Sequence, residues 1–116
     1  MKLLLLILLF TFSTGLYAQS GDPIEDYETA GSYYDSGDYK TAFRYFYSAA
    51  NAGSHNAQCV LGNLYLNGIG TEKNHSKALE WYLKAANHGN YIAQYRLGDL
   101  YYIGEGVKQN YIKAYE

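Results

Sequence analysis

The sequence repeats itself at an interval of 36 residues, and this period constrains the fold more than any single residue does. The segment AQCVLGNLYLNGIGTEKNHSKA (57–78) aligns with AQYRLGDLYYIGEGVKQNYIKA (93–114), with the same glycines and several of the same apolar residues. A period of roughly 20 to 50 residues is typical of a solenoid, in which each unit is too small to bury its apolar face alone. The sequence therefore predicts units that stack on one another.

Each unit is expected to form two antiparallel helices, which we call helix A and helix B. In the middle unit, helix A should run from about residue 56 to residue 67. Within it, Ala57, Leu61, Leu64 and Tyr65 fall at i, i+4, i+7 and i+8, so they form one apolar face of a helix. The pattern predicts an all-α chain.

Small and polar residues mark the helix ends and the helix crossing. Gly68 is expected to end helix A, because glycine adopts the left-handed conformation of a helix C-cap without a steric cost. Asn74 is expected to accept backbone N–H groups at the start of helix B. Gly62 has no side chain, so helix B can cross helix A closely at that point. The buried stripe of helix B is then expected to be Ala78, Trp81, Tyr82 and Ala85.

The N-terminal segment 1–18 has the pattern of a cleaved secretory signal peptide. Lys2 supplies the positive end, residues 3–12 the apolar run, and small residues precede the expected cleavage after Ala18. The apolar run is shorter than the roughly 20 residues that a membrane-spanning helix needs. We therefore expect a mature chain without a membrane span, exported to the bacterial periplasm or the extracellular space, in which residues 19–24 are a short linker.

The middle unit resembles a known repeat family. Its sequence, NAQCVLGNLYLNGIGTEKNHSKALEWYLKAANHG, is similar to the Sel-one-like repeat, with Thr71 where valine is usual and Asn74 where aspartate is usual. The upstream segment YETAGSYYDSGDYKTAFRYFYSAANAG (27–53) resembles the related tetratricopeptide repeat, because its turn at residues 36–39 is short.

The resemblance implies a domain organisation and a fold. It divides the chain into a tetratricopeptide-like repeat at 25–53, a Sel-one-like repeat at 54–89 and an incomplete Sel-one-like repeat at 90–116. The fold that it implies is a right-handed α-α superhelix, a short solenoid of antiparallel helix pairs. It also implies a function as an adaptor or scaffold that holds other proteins, although the fold alone does not specify a function.

The helix-A wheel predicts which surface binds a partner. Residues opposite the apolar face are expected to line the concave side, where relatives receive extended peptides or helices. Tyrosines there would anchor a peptide, with Asn and Asp between them. The alternative is an ordinary solvated face that is rich in tyrosine. The candidate protein-binding residues are Tyr27, Tyr34, Asp35, Asn63, Leu66, Asn67, Tyr95, Asp99 and Tyr102, and the wheel places Cys59 and Ile103 on the same face.

Little in the sequence points to catalysis or to a cofactor. His55 and Cys59 are one helical turn apart, but a metal site needs three or four ligands, and neither His75 nor His88 has a companion ligand at a suitable spacing. The formal net charge is −2, and no basic patch indicates nucleic-acid binding. We therefore expect a non-enzymatic protein with no metal, no cofactor and a protein or peptide partner.

Two other classes of function remain open. Cysteine-rich secreted relatives, some linked to hydrolysis or binding of β-lactams, join helices A and B by disulfides. This chain has one cysteine, Cys59, and cannot form that framework. A eukaryotic adaptor in the lumen of the secretory pathway is the other alternative.

The third unit ends partway through its expected helix B. Tyr115 and Glu116 align with Leu79 and Glu80, so the counterparts of the later helix-B residues are missing from the sequence. Solenoids usually need about three complete units and a polar terminal cap. The pattern thus indicates either a fragment of a longer array or self-association through the unfinished third repeat.

Overall fold

The structure is a computed structural model that describes residues 20–103. The expected signal peptide and the expected helix B of the third unit lie outside the described residues. Between them the chain forms five α-helices of 13 residues each, and no strand occurs within residues 20–103. In chain order they are α1 (Pro23–Asp35), α2 (Tyr39–Asn51), α3 (His55–Asn67), α4 (His75–Asn87) and α5 (Tyr91–Ile103).

Each helix packs against the next one along the chain. The first two helices form the helix pair of the first unit, the next two form that of the second unit, and α5 is helix A of the third unit. The predicted all-α, α-α superhelical solenoid is confirmed. The first helix begins at Pro23, inside the segment 19–24 that the sequence suggested as a linker. Among the described helices, none has the length and apolar character needed to cross a membrane.

A polar side chain caps the start of every described helix. In each case a side-chain oxygen accepts a hydrogen bond from a backbone N–H in the first turn, an interaction that stabilises a helix by about 1 kcal/mol. The capping residues are Asp22, Asp38, Ser54, Asn74 and Asn90. The predicted cap at Asn74 is therefore confirmed. At the other end of α3, Gly68 has the expected left-handed conformation, with φ of 67°.

The core of the second unit is built around the contact between Tyr82 and Gly62. Tyr82 on α4 is fully buried. A Cβ atom at Gly62 would lie 2.6 Å from two carbons of the Tyr82 ring, closer than side chains tolerate. The absent side chain at Gly62 therefore lets α4 lie directly against α3. The apolar residues predicted for both helices are buried, as expected.

Aromatic rings join the first unit to the second. Phe43 on α2 meets the edge of Tyr65 on α3, with ring centroids 5.3 Å apart. Tyr47, one turn further along α2, meets Trp81 on α4 at 5.8 Å. Such edge-to-face pairs each stabilise by about 0.5–1.5 kcal/mol beyond the burial of their area. Tyr65 and Trp81, which the sequence places on buried helix faces, thus also fill the space between the two units.

Hydrogen bonds at one helix position also link successive units. The fourth residue of α3, Gln58, donates from Nε2 to the carbonyl oxygen of Ala50 at 3.1 Å. Gln94, the fourth residue of α5, donates to Ala86 at 3.2 Å. Each glutamine thus ties its helix A to the C-terminal turn of the preceding helix B. The fourth residue of α1 is Asp26, which has no preceding unit to meet among the described residues.

Asp26 instead holds the segment that leads into α1. Its Oδ1 accepts hydrogen bonds from the backbone N–H and the hydroxyl of Ser20, both at 3.0 Å. Its Oδ2 accepts from the Gly21 N–H at 3.2 Å and from the Ser48 hydroxyl of α2 at 2.6 Å. Burial of this carboxylate acts to raise its pKa, but the hydrogen bonds from Ser48, Ser20 and Gly21 outweigh burial, so the pKa lies below its usual value.

We predict that Gly62→Ala destabilises the protein by about 1–3 kcal/mol, because the added methyl group displaces the Tyr82 ring. Gly31→Ala is the matched control. Gly31 also lies inside a helix, but a Cβ there would meet nothing within 4 Å. The control should therefore be stabilised by about 0.5–1 kcal/mol, as expected for alanine in place of a helical glycine. Urea denaturation measures both, and equal effects at the two sites would contradict the close crossing.

The hydrogen bonds of the Asp26 carboxylate should make the stability of the protein depend on pH. Because its folded pKa lies below the unfolded value, its contribution is present above pH of about 4 and is lost as the pH falls through the folded pKa. Asp26→Asn should remove this part of the acid sensitivity and destabilise at pH 7, since an amide nitrogen would face hydrogen-bond donors. Asp22→Asn keeps an equally good cap and is the control. The free energy of unfolding is measured by urea denaturation from pH 7 to pH 3. A difference between Asp26→Asn and the parent that stays constant over this range would contradict this role.

Candidate binding groove

A cavity on the helix-A face of the solenoid is lined by residues of α1, α3 and α5. Its volume is about 340 Å³, and three units contribute to its walls. We call it the α3 groove, because most of its lining comes from α3. The lining residues are Tyr34 of α1; Val60, Asn63, Leu64, Leu66 and Asn67 of α3; Ile69 of the following loop; and Arg96 of α5.

Four of the residues predicted for the binding face line this groove together: Tyr34, Asn63, Leu66 and Asn67. Tyr34 packs edge-on against Tyr39 of the next helix, with ring centroids 5.0 Å apart, and remains partly exposed. Leu66 is half-buried against the core. The groove therefore combines apolar walls with the polar ends of an aromatic residue and two amides.

The other five predicted residues lie outside the lining of the groove. Tyr27 is half-buried and meets the edge of Phe46 at 5.6 Å, so it packs within the first unit. Asp35 is exposed at the end of α1, and Asp99 is half-buried on α5. The exposed fraction of Tyr95 is 68% and that of Tyr102 is 46%.

A hydrogen bond from the core fixes Asn63 in the groove. The hydroxyl of the fully buried Tyr82 donates to Oδ1 of Asn63. Burial is the main cause that raises the pKa of Tyr82, Cys59 adds to it, and the charge of Arg96 opposes it, so the hydroxyl stays protonated and keeps donating. This bond fixes which end of the amide faces the core hydroxyl, and it leaves the NH₂ group of Asn63 free to donate.

Asn67 is held through its side-chain nitrogen, whereas Asn63 is held through its side-chain oxygen. Its Nδ2 donates to the backbone carbonyl oxygen of Asn63 at 3.0 Å. The side-chain oxygen of Asn67 is then the group left to accept a hydrogen bond. One turn of α3 thus places a donor from Asn63 and an acceptor from Asn67 beside each other in the groove.

Arg96 is a groove residue that the sequence analysis missed. It lies one repeat period after Val60, and both residues line the groove. The signal was available, because Val60, Asn63, Leu64 and Asn67 fall at i, i+3, i+4 and i+7 and so share one helix face. The helix-A wheel instead includes Cys59 and its counterpart Tyr95 in the open face and leaves out Val60 and Arg96.

The placement of Cys59 on the open face was wrong. Cys59 is only 5% exposed and belongs to the core. The wheel assumes one narrow buried face per helix, but Cys59 lies near the buried Tyr82 of α4, so the buried face of α3 is wider than the wheel predicts. Burial raises the pKa of the Cys59 thiol, and the charge of Arg96 on α5 partly opposes this shift. Cys59 is therefore a protonated core residue in the folded protein.

The histidines form a stacked pair and do not converge on a common ligand. The rings of His55 and His88 are nearly parallel, at 12°, with centroids 4.2 Å apart. Nδ1 of His88 lies 2.7 Å from the carbonyl oxygen of Lys84. Within residues 20–103, no three metal-ligating side chains are grouped closely enough to hold an ion.

Three consecutive segments of the chain, 24–54, 55–90 and 92–116, match the family model for the Sel1 repeat. The chain belongs to the Sel1 repeat family. Its first unit, which resembles a tetratricopeptide repeat in its short turn, matches the Sel1 repeat as well. Sel1 repeat proteins generally act as scaffolds for protein interactions and are generally not catalytic.

Two solved structures are similar to this chain. One is a protective antigen of uropathogenic Escherichia coli strains that displays an SLR fold. It is 28% identical with a TM-score of 0.76, and the match covers 79% of this chain and 21% of that one. The other is a Sel1 repeat protein from Oxalobacter formigenes, 35% identical with a TM-score of 0.71, over 77% of this chain and 36% of that one. This chain thus spans a fifth to about a third of those proteins. No curated protein sequence matches it.

Proposed function

We propose that this Sel1 repeat protein is an exported, non-enzymatic adaptor that binds a peptide segment of another protein in the α3 groove. The observation that carries the proposal is that one groove collects side chains from three successive repeats. Export rests on the sequence of residues 1–18 alone. The periplasm or the extracellular space is the compartment that this signal implies.

The size and lining of the groove favour an extended peptide as the occupant. Ligand sites range from about 300 to 1,000 Å³, and the α3 groove, at about 340 Å³, is at the small end. Its apolar floor includes Leu64, which is 2% exposed, flanked by the half-buried Val60, Leu66 and Ile69. One or two side chains of a partner would fill this space while the rest of the segment crosses the helix-A face.

The competing interpretation is a solvated face that binds nothing. It explains single exposed tyrosines well, because isolated apolar side chains are normal on protein surfaces. It explains the α3 groove less well, since Tyr34, Leu66 and Ile69 are brought together around a concavity by different elements. Concave sites with convergent polar groups are where proteins usually bind ligands.

The proposal predicts that Tyr34→Ala combined with Leu66→Ala strongly reduces selection of peptides by the protein. The probe is a random dodecapeptide library displayed on phage and selected on the purified, immobilised protein. Anchors in a groove carry most of the binding energy, so we expect enrichment to fall at least tenfold. Tyr91→Ala combined with Leu83→Ala is the control, because both residues are exposed and lie outside the groove.

A third variant, Tyr95→Ala with Tyr102→Ala, asks whether the binding surface extends along α5. We expect a weaker but measurable loss of selection, because both residues lie outside the groove lining. The helical circular dichroism should be unchanged, because both side chains are exposed. The proposed function is contradicted if the parent protein selects no peptides, or if the peptides it selects bind the Tyr34/Leu66 variant equally well.

A further inference from the structure

The polar groups of the α3 groove are mostly donors. Asn63 accepts the Tyr82 hydroxyl through its side-chain oxygen, so its two amide N–H groups remain to donate. Arg96 offers the five N–H donors of a guanidinium and no acceptor. Both residues line the same cavity. The N–H groups of Asn63 and Arg96 can therefore donate hydrogen bonds to a ligand that is rich in acceptor oxygens.

Besides lining the same cavity as Asn63, Arg96 affects two core groups of the second unit. Its charge acts on both the Tyr82 hydroxyl and the Cys59 thiol, opposing the effect of burial on each pKa. The Tyr82 hydroxyl is in turn the donor to Asn63. Among residues 20–103, no carboxylate is paired with Arg96 in a salt bridge. The positive charge in the groove is thus available to a ligand.

We propose that the α3 groove recognises a carboxylate that lies next to an apolar side chain of the bound peptide, with Arg96 and Asn63 contacting the carboxylate. This inference rests on the proposed function, since it names the partner chemistry of the same groove. Arg–carboxylate contacts are charge-assisted and are among the stronger hydrogen bonds in proteins. The apolar neighbour follows from the floor and walls at Leu64, Leu66 and Ile69.

A peptide fits the groove better than a free carboxylic acid does. The side-chain oxygen of Asn67 is an acceptor, because its nitrogen donates to the Asn63 carbonyl. A peptide brings a backbone N–H for this acceptor together with the carboxylate. The acidic residues of the helix-A face, Asp35 and Asp99, are not part of the groove lining and so do not occupy the carboxylate position.

Three fluorescein-labelled octapeptide pools test this proposal. All contain random residues around a fixed leucine. The first pool has glutamate after the leucine and an amidated C-terminus, and the second has glutamine there and an amidated C-terminus. The third pool ends in leucine with a free carboxylate. Retention on the immobilised protein is compared between pools, and the two acidic pools separate a side-chain carboxylate from a terminal one.

We expect at least one acidic pool to be retained about tenfold better than the glutamine amide pool, which corresponds to about 1.4 kcal/mol. Arg96→Gln should reduce this preference to within twofold, and raising the salt concentration should weaken it. Arg44→Gln is the matched control, because Arg44 is an exposed arginine outside the α3 groove, and it should leave the preference unchanged.

Tyr82→Phe tests the positioning of Asn63 separately. Without the phenolic donor, the Asn63 amide is free to turn its oxygen towards the ligand, so the preference for the acidic pool should fall about threefold. Arg96→Gln removes the charge at an exposed position and leaves the helical circular dichroism as in the parent. The two variants thus distinguish loss of the contact from loss of its orientation.

The results separate the two proposals. If the parent protein retains all three pools equally and above the Tyr34/Leu66 variant, peptide binding stands and carboxylate recognition is overturned. If no pool is retained above that variant, both are overturned. A preference for the acidic pools that survives Arg96→Gln also overturns the assignment of Arg96.

Discussion

The contact between Tyr82 and Gly62 is the constraint on which the rest of the second unit depends. Because Gly62 has no side chain, the ring of Tyr82 can lie on the backbone of α3 and become fully buried. The hydroxyl of a buried phenol still needs a hydrogen-bond partner. Here it donates to Asn63, which lies on the outer face of α3. One residue thereby joins the packing of the helix pair to the polar lining of the groove.

The stacking of units on both sides of α3 explains why the groove lies at this helix. Gln58 ties α3 to the unit before it, and Gln94 ties α5 to the unit that contains α3. Asp26 occupies the same helix position in the first unit but binds the Ser20–Gly21 segment through its carboxylate. Among the described helices, α3 is therefore the helix A that has another helix A on each side. A concavity across the helix-A face requires this arrangement.

Much of the fold was predictable from the sequence because its determinants are local. Helix A and helix B of the middle unit, the left-handed Gly68 and the Asn74 cap follow from periodicity and from the chemistry of single residues. Cys59, Asp26 and Arg96 were misplaced or missed because their roles depend on a neighbouring unit or segment. A wheel drawn for one helix cannot show that Cys59 is buried, that Ser20 and Ser48 surround Asp26, or that Arg96 reaches the groove.

A double-mutant cycle between Tyr82→Phe and Asn63→Ala tests most directly whether the core orients the groove. Urea denaturation of the parent, the two single variants and the double variant gives the coupling free energy between the phenolic hydroxyl and the amide. If the hydrogen bond fixes Asn63, the coupling should be favourable by about 1 kcal/mol. If the two single effects add to within about 0.3 kcal/mol, the groove is not organised from the core and the account of its donors is contradicted.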